Sequence, residues 1–230
     1  MNAFSAVFTA FFLFFVSGCA SVNPAFQALN ALLLPAQSLV DRVTEQGGLN
    51  PSFVYLHITP ASQDPLLAVL GYVDPHSSGP VFVWYAPGGQ VLKTQNGRIV
   101  GLAGVPQGIT NGSFSESLSS WPAAGERIAG HRVWDAPLQY RYGVEETVKI
   151  QSITASQLPP FIHRHLKRRL GSPDTSVWSW YQQTGSLTGQ AWFAIATVAG
   201  QQQVVYSYQC LEDGFCLHLA TWPSRQGHQL

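Results

Sequence analysis

Val91-Leu92-Lys93-Thr94-Gln95-Asn96-Gly97-Arg98-Ile99-Val100-Gly101-Leu102 has the pattern of a tight β-hairpin. Two runs with β-branched residues flank Asn96-Gly97, and a two-residue hairpin turn needs φ > 0 at both central positions, which Asn-Gly supplies at least cost. Working towards the N-terminus, Val81 to Ala86 is a further strand-like run, separated from Val91 by Pro87-Gly88-Gly89. Leu66 to Val73 and Phe53 to Thr59 precede it, so residues 53 to 102 read as a five-strand meander. Working towards the C-terminus, residues 103 to 130 are rich in Gly, Ser and Pro and read as loop, and a subdivision of the chain there is left open. Strands resume at His131 to Trp134, Leu138 to Ile153, Val177 to Gln182, Ala191 to Val198, Val204 to Leu211 and Phe215 to Trp222. One helix interrupts them, Phe161 to Leu170, opened by Pro159-Pro160 and closed by Gly171. Strands do not alternate with long helices, which argues against βαβ units. The expectation is an all-β fold: antiparallel meanders forming a barrel or half-barrel sandwich, with a short N-terminal helix and one short internal helix.

Composition narrows the function. The chain has 230 residues, 46% apolar and 10% charged, with 12 Lys plus Arg balanced by 12 Asp plus Glu. The basic excess of a nucleic-acid binder is missing. Seven Trp and eight Tyr argue against disorder, and scarce charge argues against a coiled coil. Beyond the N-terminus no run approaches the roughly 18 apolar residues of a spanning helix.

Ala3 to Val16 is apolar except for Ser5 and Thr9, a length that suits the core of a secretory signal. It ends in Val16-Ser17-Gly18-Cys19, the pattern of a bacterial lipoprotein signal, in which small residues precede a Cys that is acylated. The first basic residue is Arg42, a departure from the usual basic start of such signals that leaves the true start codon open. Acyl chains on Cys19 would hold the protein to a membrane, since two or three chains anchor stably where one does not. Ala20, rather than Asp, favours the outer membrane, with the domain facing the periplasm. The division expected is a signal over 1–18, a lipidated N-terminus and helical tether over 19–48, and a β domain over 49–230. Phe26, Leu29, Leu32 and Leu33 have helical spacing, and Gly47-Gly48 stops a second helical piece.

Several of these segments, taken in order, resemble the YjbF/GfcB-type lipoproteins, the group 4 capsule polysaccharide lipoprotein family. The segments are Leu49 to Ile58, Leu67 to Val73, Val83-Trp84-Tyr85 and, most specifically, the Asn96-Gly97-Arg98-Ile99-Val100 turn, with weaker features at Tyr140 to Glu145, Ala191-Trp192-Phe193 and Ser207-Tyr208-Gln209. The resemblance implies a lipid-anchored, outer-membrane, mostly β protein associated with exopolysaccharide or capsule production and export. It implies no catalytic residue. The expected role is a non-catalytic accessory that binds an export-machinery protein or the glycan; the alternative is a periplasmic enzyme acting on polysaccharide.

No nucleophile elbow, zinc-protease motif, P-loop or dinucleotide fingerprint occurs, and no cofactor or metal is expected. Glu145 and Glu146 would point to opposite faces of a strand. Asp74 and His76 read as a solvated turn, and His163 and His165 as surface residues. Trp178 and Trp180 share a face, read as core rather than as a sugar platform. Arg164, Lys167, Arg168 and Arg169 crowd the end of the internal helix, opposite Ile162, Leu166 and Leu170. They are the candidate contact for anionic polysaccharide or lipid phosphate.

With Cys19 assigned to lipid, Cys210 and Cys216 remain as an even pair in an oxidising compartment. A three-residue loop, Glu212-Asp213-Gly214, would set Leu211 against Phe215 and Cys210 against Cys216 as a disulfide. A two-residue Asp213-Gly214 turn would instead offset the cysteines.

Overall fold

The computed structural model of the chain describes residues 49–50, 52–61, 65–169, 175–198, 200–211 and 214–221. Cys19, the signal and the N-terminal helical pieces lie outside the described residues. The described chain is all-β apart from one helix and a few single 3-10 turns. In chain order the strands are β1 (Tyr55–Pro60), β2 (Leu66–Asp74), β3 (Val81–Tyr85), β4 (Val91–Gln95), β5 (Arg98–Ala103) and β6 (Thr110–Phe114). They continue with β7 (Arg127–Ala136), β8 (Arg141–Ile153), β9 (Ser179–Gly185), β10 (Gly189–Val198), β11 (Gln201–Cys210) and β12 (Cys216–Thr221). The helix is α1 (Pro160–Arg169), between β8 and β9.

All twelve strands form one antiparallel sheet in the order β5-β4-β3-β2-β1-β12-β11-β10-β9-β8-β7-β6. Every neighbour follows in the chain except β1 and β12, whose pairing from Leu56↔Thr221 to Pro60↔Leu217 welds the N-terminal meander to the C-terminal one. The sheet is a nearly closed barrel. Its edges, β5 and β6, are consecutive in the chain and meet at a bridge between Leu102 and Ile109, with the Leu102 amide donating to the Ile109 carbonyl at 2.7 Å.

The segment expected as loop between 103 and 130 contributes β6 and the first residues of β7. Thr110-Asn111-Gly112-Ser113-Phe114 has no alternation of apolar residues to reveal a strand. It is one because it lies against its neighbours so closely that a Cβ on Gly112 would fall within 2.4 Å of the Val100 carbonyl oxygen. Several boundaries also move, β7, β9 and β11 among them. β8 begins at Arg141 rather than Leu138, because Pro137–Gln139 form a 3-10 turn and Tyr140 takes φ 55°. β1 begins at Tyr55, leaving Phe53 52% exposed ahead of it.

Three apolar clusters follow the alternation of the strands. Leu56, Ile58, Ala68, Trp84, Leu92, Ile99 and Leu219 form one inside the barrel, and Leu118, Val148, Ile150, Tyr181 and Phe193 another. The third lies outside, where Leu158, Ile162 and Leu166 pack on Trp180, Trp192, Ala194, Tyr206 and Ala220. Helix α1 therefore covers one outer face of the sheet with its apolar stripe, and Trp180, with Trp178 packed beside it, is core as expected.

The β4–β5 turn crosses the interior. Asn96 and Gly97 take φ 48° and 74°, as the Asn-Gly hairpin requires. The turn rests on β11: a Cβ on Gly97 would lie 2.5 Å from Val204. Gln209 ties it down, its Nε2 donating to the Gly97 carbonyl at 2.8 Å and its Oε1 accepting from the Ile99 amide at 3.0 Å.

Candidate functional site

The crossing turn leaves a cavity on one side of it, of about 740 Å³. The inner faces of β1 to β4 and of β11 and β12 bound it, with Val54, Leu56, Leu70, Phe82, Trp84 and Leu219 as its apolar wall. Its mouth is at the end of the barrel formed by the β2–β3 loop, the β4–β5 turn and the start of β11, and β1 enters the sheet at this same end. No Asp, Glu, Lys, Arg or His is among the described residues that line it. Most of its polar groups are committed to one another. Trp84 Nε1 donates to Thr94 Oγ1 at 2.9 Å. Gln95 Nε2 donates to Ser78 Oγ and to the Gly79 carbonyl. Asn96 donates to the Ser119 carbonyl and accepts from Trp121 Nε1. Gln201, Gln202 and Gln203 place amides at the mouth, the first two exposed.

On the other side of the turn the interior is charged. Arg98, 1% exposed, donates through Nε to Gln183 Oε1 and through Nη1 to the Leu118 carbonyl, each at 3.0 Å. Its guanidinium carbon stands 4.0 Å from the Trp121 ring centroid, a cation–π contact of the desolvated kind. Burial, together with the neighbouring charge of Arg132, lowers its pKa to about 9. Arg132 meets Glu146 at 3.4 Å in a fully buried ion pair and donates to the Ile99 carbonyl. Glu145 and Glu146 do point to opposite faces: Glu145 is exposed, Glu146 2% exposed. Glu146 also accepts from the Leu187 and Thr188 amides and from Thr188 Oγ1, so it is committed to holding the β9–β10 turn.

A third feature lies under α1. His165 of the helix stacks on His218 of β12, centroids 3.7 Å apart and planes 3° from parallel. This corrects the expectation that His165 is a surface residue; His163 is exposed. Sequence reading missed His57 and His218 because each sits in a strand whose every position is at least half-buried, so alternation could not mark the outer face. The Tyr206 hydroxyl lies 2.7 Å from His218 Nδ1. Burial and then Tyr208 raise the Tyr206 pKa, while burial, His165 and His57 lower that of His218 to about 3. The phenol is therefore the donor and the neutral imidazole the acceptor. No group of three or more His, Cys, Asp or Glu side chains that could hold a metal ion occurs among the described residues.

Three members of the basic cluster stand on the solvent side of α1, opposite its buried apolar residues, as the helical spacing implies. Phe161, Ile162, His165 and Leu166 face the sheet, and Arg164, Lys167 and Arg168 project to solvent from the rest of α1. Arg169 ends the helix. Asp74 and His76 do not form a dyad: the His76 partner is Ser78, 2.8 Å away. Cys210 and Cys216 are directly opposed and joined as a disulfide, with Cα atoms 3.9 Å apart. The three-residue loop is the one present, since the Leu211 amide donates to the Phe215 carbonyl and Gly214 has φ 76°.

No family model matches the chain, and no curated protein matches it. Among solved structures the fold is similar to that of the hypothetical lipoprotein YmcC from Escherichia coli (K12). The two share 15% sequence identity at a TM-score of 0.50, over 82% of this chain and 94% of that one.

Proposed function

We propose that the protein is a lipoprotein anchored to the outer membrane through Cys19 and facing the periplasm, where it serves exopolysaccharide or capsule production as a non-catalytic accessory. The Val16-Ser17-Gly18-Cys19 motif carries this reading. The neighbour of like fold is itself described as a hypothetical lipoprotein, which supports the anchor. The order of strand segments up to the Asn96-Gly97-Arg98-Ile99-Val100 turn resembles capsule-associated lipoproteins, which supports the process. Arg164, Lys167 and Arg168, exposed together on α1, offer three cations to an anionic glycan or an acidic partner.

The test has two arms. Cys19→Ser should move the protein from the membrane to the soluble fraction; retention after processing would overturn the anchor. Deleting the gene should lower the exopolysaccharide released by the cell, and the Arg164→Ala/Lys167→Ala/Arg168→Ala/Arg169→Ala variant should restore less of it than the unsubstituted protein. Unchanged polysaccharide in the deletion would overturn the process.

A further inference from the structure

We propose that the cavity bounded by β1 to β4, β11 and β12 is a binding site for the hydrocarbon chain of a membrane lipid, with the lipid headgroup left at the mouth. The chemistry of the walls selects the ligand class. A glycan segment would need free donors and acceptors along its length, because each hydroxyl taken from water must be paired again. Here the side chains that could pair it already hold protein partners: Thr94 accepts from Trp84, Gln95 donates to Ser78 and the Gly79 carbonyl, Asn96 donates to the Ser119 carbonyl and accepts from Trp121, and Ser207 accepts from Gln209. A sugar there would have to compete with these bonds along an otherwise apolar wall.

An ionic ligand would need a counter-charge, and no charged side chain is among the described lining residues. The interior cations, Arg98 and Arg132, stand beyond the crossing turn, paired to Gln183, Leu118, Ile99 and Glu146. What the cavity offers is apolar contact from Val54, Leu56, Leu70, Phe82, Trp84 and Leu219. Its volume of about 740 Å³ lies within the range of roughly 300–1,000 Å³ that suits a bound small molecule. Among the described lining residues, Gln201 to Gln203 place side-chain amides at the mouth, where they suit an uncharged polar head rather than the body of the ligand. The mouth opens at the end of the barrel where β1 begins.

The experiment uses the full chain with Cys19→Ser, so that no attached acyl chain competes. The fluorescent probe N-phenyl-1-naphthylamine is bound and then displaced by octyl, decyl and dodecyl maltoside below their micellar concentrations. Maltose and maltoheptaose serve as headgroup and glycan controls. The expected result is that the probe brightens, that affinity rises about tenfold for each two-carbon step, and that neither sugar displaces it. Leu70→Trp and Val54→Trp, which fill the cavity from β2 and from the residue just before β1, should each weaken dodecyl maltoside at least tenfold with unchanged circular dichroism. Tyr140→Ser, at the opposite end of the barrel, should change nothing. An affinity independent of chain length, displacement by maltoheptaose, or full binding by both folded Trp variants would overturn the proposal.

Discussion

Glu146 accepts hydrogen bonds from Arg132, from Thr188 Oγ1 and from two backbone amides of the β9–β10 turn, while almost wholly out of water. A charge buried in this way is weak evidence of net stabilisation, but removing one partner is costly because the other charge stays behind. Glu146→Ala should therefore destabilise the protein by about 3–5 kcal/mol, read as a lower urea midpoint. Glu145→Ala, one residue away on the exposed face, should shift the midpoint by less than about 0.5 kcal/mol. Equal effects for the two would show that the Arg132–Glu146 pair is not buried as described. Gly97 acts at the same scale by what it lacks: only a residue without a Cβ lets the β4–β5 turn lie on Val204, and that contact separates the cavity from the charged half of the interior.

At the scale of elements, α1 is held to the barrel by rings as much as by aliphatic packing. His218 faces His165 and Phe161 of α1, His57 of β1, and Tyr206 and Tyr208 of β11. Its folded pKa is lowered to about 3 from the ordinary 6.5. Above pH 6.5 both folded and unfolded chains leave it neutral, so it contributes no pH dependence. Between 6.5 and about 3 the unfolded chain binds a proton that the folded chain refuses, and stability falls by up to roughly 1.4 kcal/mol per pH unit. The urea midpoint should accordingly drop between pH 7 and pH 5, and His218→Phe should flatten that slope. A slope unaltered by the substitution would place the titrating group elsewhere. The β11–β12 hairpin has its own fastening in Cys210–Cys216. In the chain-entropy model the loop is short, so Cys216→Ser should cost only about 2 kcal/mol, and the denatured, unreduced protein should show no reactive thiol at these two positions.

Across the whole molecule the sheet has a weld and a seam. The weld is β1 against β12, which joins residues far apart in sequence through five register pairs. The seam is β5 against β6, bridged at Leu102–Ile109, with β6 only five residues long and its register against β7 shifted. Local opening starts where backbone pairing is thinnest and burial least. Amide exchange should then be fastest, among the strands, at Thr110–Phe114 and slowest at the centre of β10, where Ala191 to Ile195 are all buried. Protection of β6 equal to that of β10 would mean the barrel closes more fully than one bridge allows.

The turns and the helix of this protein are written in short stretches of residues. Asn96-Gly97 can turn a chain only as a tight hairpin, and a three-residue loop ending at Gly214 sets Cys210 against Cys216; both are short-range constraints that the backbone obeys wherever the hairpin sits. Pro160 and the Ile162–Leu166 spacing likewise announced α1. What those pieces do together follows from contacts made across the folded barrel. β6 became a strand because neighbours supplied the pairing that Thr110–Phe114 do not advertise. His57, His165 and His218 met because α1 folds back over strands from both ends of the chain. The cavity and the charged interior were separated because the β4–β5 turn crosses to β11. Alternation and turn chemistry reach only a few residues along the chain, whereas the contact of His57 with His218 joins residues 161 positions apart (218 − 57), and no local signal carries that distance.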